Sequence, residues 1–284
     1  MPAEASYFLL FIYGLAAGSF LNVVSLRYES GKFILRREST VGRSRCPMCK
    51  SELRWFELIP LLSFIVQFGR CRHCGQPISL QYPIVEFLSG LIFVLVPWRL
   101  QSVISGSNFY VAAALWIAIF WTLLLLSLID LRLRIIPDEA NIFLAVLGVG
   151  LAFLFFKGSP FSLVGSYSSV FGGQAEIWLG RLLAVIFSAA LFGLLILTTR
   201  GRGMGAGDLK LAAALALVFG WPDVLFVVVL GFIIGAVYGV IAVTSGRKKM
   251  KSIVPFGPFL AASSAAIFFL GYIILDFCFR NLVL

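Results

Sequence analysis

Charge is scarce in this chain. Only 13% of its 284 residues are Asp, Glu, Lys or Arg, against 60% hydrophobic residues. Soluble domains carry about twice that charge, so a water-soluble globular class is excluded. Basic residues are missing before the first apolar run, where Glu4 is the sole charge. That flank is wrong for a cleaved secretory signal, so 7–26 is expected to be a retained span. A strand-borne G-x-G-x-x-G nucleotide fingerprint is absent, as are internal repeats and low-complexity tracts.

What is present is a set of apolar runs near the length that crosses a bilayer, with a mean hydropathy of +0.99. Eight spans are expected, at 7–26, 83–100, 109–129, 139–157, 177–198, 208–220, 222–244 and 256–279. The sixth is short and opens on glycines. The fold class is therefore an all-α polytopic membrane protein. Its only sizeable extramembrane segment is 27–82, so the chain divides into a first helix (1–26), that segment, and a membrane core (83–284).

Basic residues give the orientation. With the N-terminus outside, the inner segments hold ten Lys or Arg in 27–82, two in 130–138, three in 199–210 and four in 245–252, nineteen of the 23. This bias fits eight spans with both termini outside. It accounts for the net charge of +10 without a nucleic-acid partner.

Four of the five cysteines form two C-x2-C pairs, Cys46/Cys49 and Cys71/Cys74, separated by 21 residues. Two such knuckles supply the four thiolates of a tetrahedral zinc site. A segment this small has little core, and a metal would hold it together. Redox or disulfide chemistry is the alternative, and a reducing cytosol disfavours it. His73 lies inside the second knuckle as a less favoured ligand, and Cys278 reads as a packing residue. Between the pairs, Trp55–Phe68 is too short to span and is broken by Pro60, so it is expected to lie on the membrane face.

Two carboxylates fall at the same membrane face. Asp130 ends the run 109–129. Asp208 follows the glycine turn Gly203-Met204-Gly205-Ala206-Gly207. Their meeting depends on the span count between them, and if they meet they form a dyad that shares a proton and activates water. Separate caps or interface charges are the plainer reading. Asp138 and Asp223 are expected to be N-caps. Glu86 lies inside the second span, either functional or hydrogen-bonded to a neighbouring helix. From helix ends alone, Asp208 would be the ionised member and Asp130 the protonated one.

Taken together, these segments resemble the prepilin peptidases, or type IV leader peptidases, aspartic proteases of the GxGD class. The resemblance rests on Gly14-Leu15-Ala16-Ala17-Gly18-Ser19-Phe20-Leu21-Asn22, on both cysteine knuckles, and on Ile59-Pro60-Leu61-Leu62-Ser63. It rests also on Tyr82-Pro83-Ile84-Val85-Glu86, on Gly205-Ala206-Gly207-Asp208, and on Pro255-Phe256-Gly257-Pro258-Phe259. It implies that Asp130 and Asp208 cleave a short basic leader from prepilins or type II secretion pseudopilins. The cut follows a Gly, at the cytoplasmic face of the inner membrane. It implies further that the new N-terminus is methylated with S-adenosylmethionine. The cysteine segment favours this bifunctional form over a cleavage-only one. One departure is Arg132 and Arg134 after the first aspartate, where the family often has an acid or His; preflagellin peptidases carry Arg there. The competing classes are a transporter with a broken glycine-rich helix and a zinc-braced scaffold without catalysis.

Overall fold

Lipid offers a backbone no hydrogen-bond partners, so each apolar run closes its own bonds as a helix. The computed structural model describes residues 4–34, 42–102, 104, 108–155, 176–201, 203–246 and 254–279. Eight long helices lie among them: α1 (Glu4–Arg27), α3 (Gln81–Gln101), α4 (Asn108–Leu133), α5 (Asp138–Leu154), α6 (Ile177–Thr199), α7 (Ala206–Phe219), α8 (Asp223–Thr244) and α9 (Gly257–Phe279). A five-residue helix, α2 (Leu62–Val66), lies between α1 and α3. Six of the long helices have the length and composition to cross a membrane. The other two, α5 and α7, have 17 and 14 residues, so the count of eight spans is approximate. The outer connection 158–174 falls outside the described residues, as does the side chain of Cys278.

The chain forms two compact units, Met1–Ile117 and Ala118–Leu284, with the boundary inside α4. In the first, α1 and α3 pack antiparallel along a glycine seam. A Cβ on Gly14 would sit 2.7 Å from the Cα of Gly90, and one on Gly18 would sit 2.7 Å from the Cα of Glu86. The spacing Gly14-x3-Gly18 thus lets two backbones touch, which is how helices gain packing energy where lipid supplies no hydrophobic drive.

In the second unit, α7 is enclosed by α5 and α6. Its Leu211, Ala212, Leu215 and Ala216 are buried, and Gly148 of α5 lets the Leu217 backbone approach closely. The far end of α7 is held by Arg181 of α6, whose Nε donates to the Leu217 carbonyl at 2.7 Å. The N-terminus of α9 is fixed by aromatic packing. Phe256 lies against Phe232 with ring centroids 4.9 Å apart, and both rings pack on the fully buried Phe192.

Two capping expectations are corrected. The N-caps of α5 and α8 are Pro137 and Pro222, with no side-chain cap bond. Asp138 and Asp223 are the first helical residues instead. Proline's fixed φ suits the turn into a helix, which leaves both carboxylates available for other partners. Asp138 uses its own to receive the Lys210 ammonium, at 2.8 Å to each oxygen.

Candidate active site and candidate metal centre

The two cysteine pairs fold as copies of one local design. In the first, the Cys46 N–H donates to the Ser51 carbonyl and the Lys50 N–H to the Cys46 carbonyl, at 3.0 and 2.9 Å. In the second, the Cys71 N–H donates to Gln76 and the Gly75 N–H to Cys71, both at 2.8 Å. Each turn is closed by a single antiparallel bridge, Arg45 with Glu52 and Arg70 with Pro77. The residue after the second cysteine is left-handed in both, Lys50 at φ 60° and Gly75 at φ 70°. The shared C-x2-C spacing marks both turns, and the backbone hydrogen bonds show that they fold alike.

The four Sγ atoms lie within 4.8 Å of one another, and Cys46 Sγ is 3.9 Å from Cys74 Sγ. Zinc–thiolate bonds of ~2.3 Å arranged as a tetrahedron place sulfurs about 3.8 Å apart. The Ser51 hydroxyl, 3.0 Å away, holds the Cys49 thiol down at about 6. For Cys74 the Gln76 N–H acts downward, but burial and the Cys71, Cys49 and Cys46 sulfurs push it up to about 11. One thiolate thus opposes the next, and four coexist only around a cation. The donor set fits a structural zinc ion. His73 is not in the cluster.

In the second unit, Asp130 is in the last turn of α4 and is 4% exposed. Its Oδ2 accepts the N–H of Gly257 at 2.9 Å. Gly257 is the first residue of α9, so a helix N-terminus points at the carboxylate. Asp208 is in the first turn of α7 and half-buried. Its Oδ2 accepts the N–H of Gly205 at 3.0 Å, while its own N–H returns to the Gly205 carbonyl at 3.1 Å. The two carboxylates are close enough to interact electrostatically. The helix-end argument for their protonation does not carry through, since each now receives one N–H from a helix N-terminus. What separates them is access: Asp130 is enclosed and Asp208 is open.

Arg134 is exposed and left-handed, at φ 57°. Its N–H closes α4 on the Asp130 carbonyl at 2.8 Å, so its backbone leaves the helical path and the i+4 face is not continued. Sequence reasoning missed the Gly257 contact. The only signal for it was the Pro255–Phe259 motif, which by itself names no partner.

Glu86 belongs to the first unit. It is 7% exposed, and it accepts the Leu61 N–H at 2.9 Å and a hydrogen bond from Ser19 of α1.

Two family models match the chain. That of the bacterial peptidase A24 N-terminal domain covers residues 12–100, and that of the type IV leader peptidase family covers 117–240. A prepilin leader peptidase/N-methyltransferase of Burkholderia pseudomallei is 32% identical over 95% of this chain and 87% of its own. One of Xanthomonas campestris is 31% identical over 93% and 91%. One of Bacillus subtilis is 30% identical over 95% and 96%. No solved structure matches the chain.

Proposed function

The chain belongs to the type IV leader peptidase family, and from that premise we propose that it cleaves the leader from prepilins and methylates the N-terminus so exposed. It is a multi-pass membrane protein and an aspartic peptidase with methyltransferase activity. The bond cut follows a Gly, at the cytoplasmic face of the inner membrane. The substrates are the N-terminal segments of type IV prepilins or type II secretion pseudopilins.

The observation that supports the peptidase reading is that Asp130 and Asp208 are each held by a backbone N–H at a helix N-terminus. Asp208, on the open side, takes the proton from the attacking water. Asp130, enclosed, presents a proton to the carbonyl oxygen of the scissile bond. The N–H bonds leave the second oxygen of each carboxylate for this work. Coupled acids titrate as a pair, so the two roles belong to one dyad.

Cys46, Cys49, Cys71 and Cys74 hold zinc, which closes the segment between α1 and α3 and takes no part in the dyad's chemistry. S-adenosylmethionine supplies the methyl group when bound. The described residues contain no strand, hence no strand–glycine–helix cradle for a nucleoside, and no residue is assigned to it.

Incubating the purified enzyme with a prepilin peptide tests the reading. Mass spectrometry is expected to report loss of the leader and gain of a methyl group as separate events. An uncut peptide would overturn it.

A further inference from the structure

The zinc-binding segment carries large apolar side chains that it does not bury. Trp55 is 77% exposed, Leu62 55%, Ile65 67%, Val66 53% and Phe68 89%. Their neighbours Phe56 and Phe64 are less exposed. Phe56 lies under the Arg72 guanidinium, 5.3 Å from its ring centroid, and Phe64 packs against Gly69. The segment therefore has an inner side, closed by Phe56 and Phe64, and an outer apolar side on α2 and its flanks. An outer side of this kind marks an interaction surface.

Its height relative to the membrane is fixed by one contact. The backbone between the 3-10 turn Trp55–Leu58 and α2 passes through Leu61 at φ 59°. The Leu61 N–H is held by the Glu86 carboxylate at 2.9 Å. Glu86 is in the second turn of α3, itself a membrane span. The turn ahead of α2 is thus tied below the end of a transmembrane helix. The lipid-facing surface of α3 begins at the same level, with Leu80, Ile84 and Phe87 exposed.

We propose that α2 and its flanks are a monotopic membrane element. The outer side of Trp55, Leu62, Ile65, Val66 and Phe68 enters the headgroup–acyl boundary of the leaflet that receives the first turns of α3. Three things favour a bilayer as the occupant. The surface continues the lipid-facing side of α3. It is aromatic at both ends, as interfacial elements are. Arg54 and Arg70 stand beside it in the sequence, ready for anionic headgroups. Interfacial elements lower their apolar side roughly 5–10 Å into that boundary, which fits a turn tied to the second turn of a span.

The test is depth-resolved quenching in the full-length protein, reconstituted in nanodiscs of phosphatidylethanolamine and phosphatidylglycerol. A Phe68→Trp variant adds a reporter, read as the difference from the parent. Leu95→Trp on α3 is the deep reference and Met48→Trp in the first knuckle the aqueous one. The Phe68→Trp signal is expected to fall several-fold more with lipids brominated near the headgroup than with aqueous iodide. Loss to iodide without loss to bromolipid would place the surface in water and overturn the proposal. Resistance to both quenchers would mean that protein covers it, from this chain or a second copy, and would overturn it equally. Loss of the leader-cleavage reaction in this variant bears on neither result, because the readout is position and not turnover.

Discussion

Replacing Gly257 by alanine separates positioning from folding. A Cβ there would lie 2.7 Å from Asp130 Oδ2, 3.4 Å from its Cγ and 3.5 Å from its Cβ. An ordinary contact is about 3.5 Å, so the carboxylate must retreat by roughly 0.8 Å or break its bond to the Gly257 N–H. Alanine costs the helix nothing, since it is the better helix former. The obstacle is the tip of one short side chain, which can rotate away. Melting temperature should therefore hold. Catalysis should not, because a displacement near 1 Å can cost about 10²-fold, or ~2.7 kcal/mol of barrier. Gly205→Ala is the matched control. Its Cβ would be 3.6 Å from Asp208 Oδ2, and its φ of −92° suits any residue. Rates of leader cleavage, measured beside thermal unfolding, should fall by about 10²-fold for Gly257→Ala and by less than about tenfold for Gly205→Ala. Equal rates for the two variants would refute the steric reasoning, as would a Gly257→Ala enzyme close to the parent.

Three further outcomes are expected. Asp130→Asn and Asp208→Asn should each abolish leader removal yet still methylate a peptide supplied already cut; loss of both activities in a folded variant would mean one shared site. Elemental analysis should find one zinc per chain, lost on Cys49→Ser or Cys71→Ser, and a protein purified without zinc would remove the metal centre. Glu86→Leu should leave the Leu61 N–H buried and unpaired at a cost of about 1–3 kcal/mol, seen as faster proteolysis within 55–68, whereas Glu86→Gln keeps an acceptor and should resist; a Gln variant as labile as Leu would show that the charge matters and not the hydrogen bond.

Most of the helices were legible because their apolar runs are near the thickness of a bilayer and solve their backbone locally. The four-cysteine cluster was legible because C-x2-C is a turn-sized pattern. Beyond the cysteine cluster, what stayed hidden were the hydrogen bonds and ion pairs between residues distant in the chain. Asp130 finds Gly257 across 127 positions, and Lys210 finds Asp138 across 72. Neither is written in local spacing. The capping expectation for Asp138 failed for a related reason. A carboxylate before an apolar run reads as a cap, but Pro137 already supplied the extended backbone and Lys210 the partner. That exposed ion pair adds at most about 1 kcal/mol, so its interest is that it ties the first turn of α7 to the first turn of α5.

The brevity of α7 sets a depth. Arg181 binds the Leu217 carbonyl, and the Trp221 N–H meets Gly180 at 3.1 Å, so α6 and α7 are in register at that end. From there α6 continues about 27 Å to Thr199, while α7 covers only about 17 Å to Ala206. The head of α7 therefore stops about 10 Å short of its neighbour. The chain makes up the difference without a helix. Gly203 is still beside Thr199, and three residues in extended form reach about 10 Å. The glycine stretch is a descent, and Asp208 waits at its foot, about 10 Å below the end of α6. On the role proposed for Asp208, a substrate would have to unwind its cleavage site to meet the carboxylate, and the sinking of one aspartate would act as a filter on the conformation of what is cut.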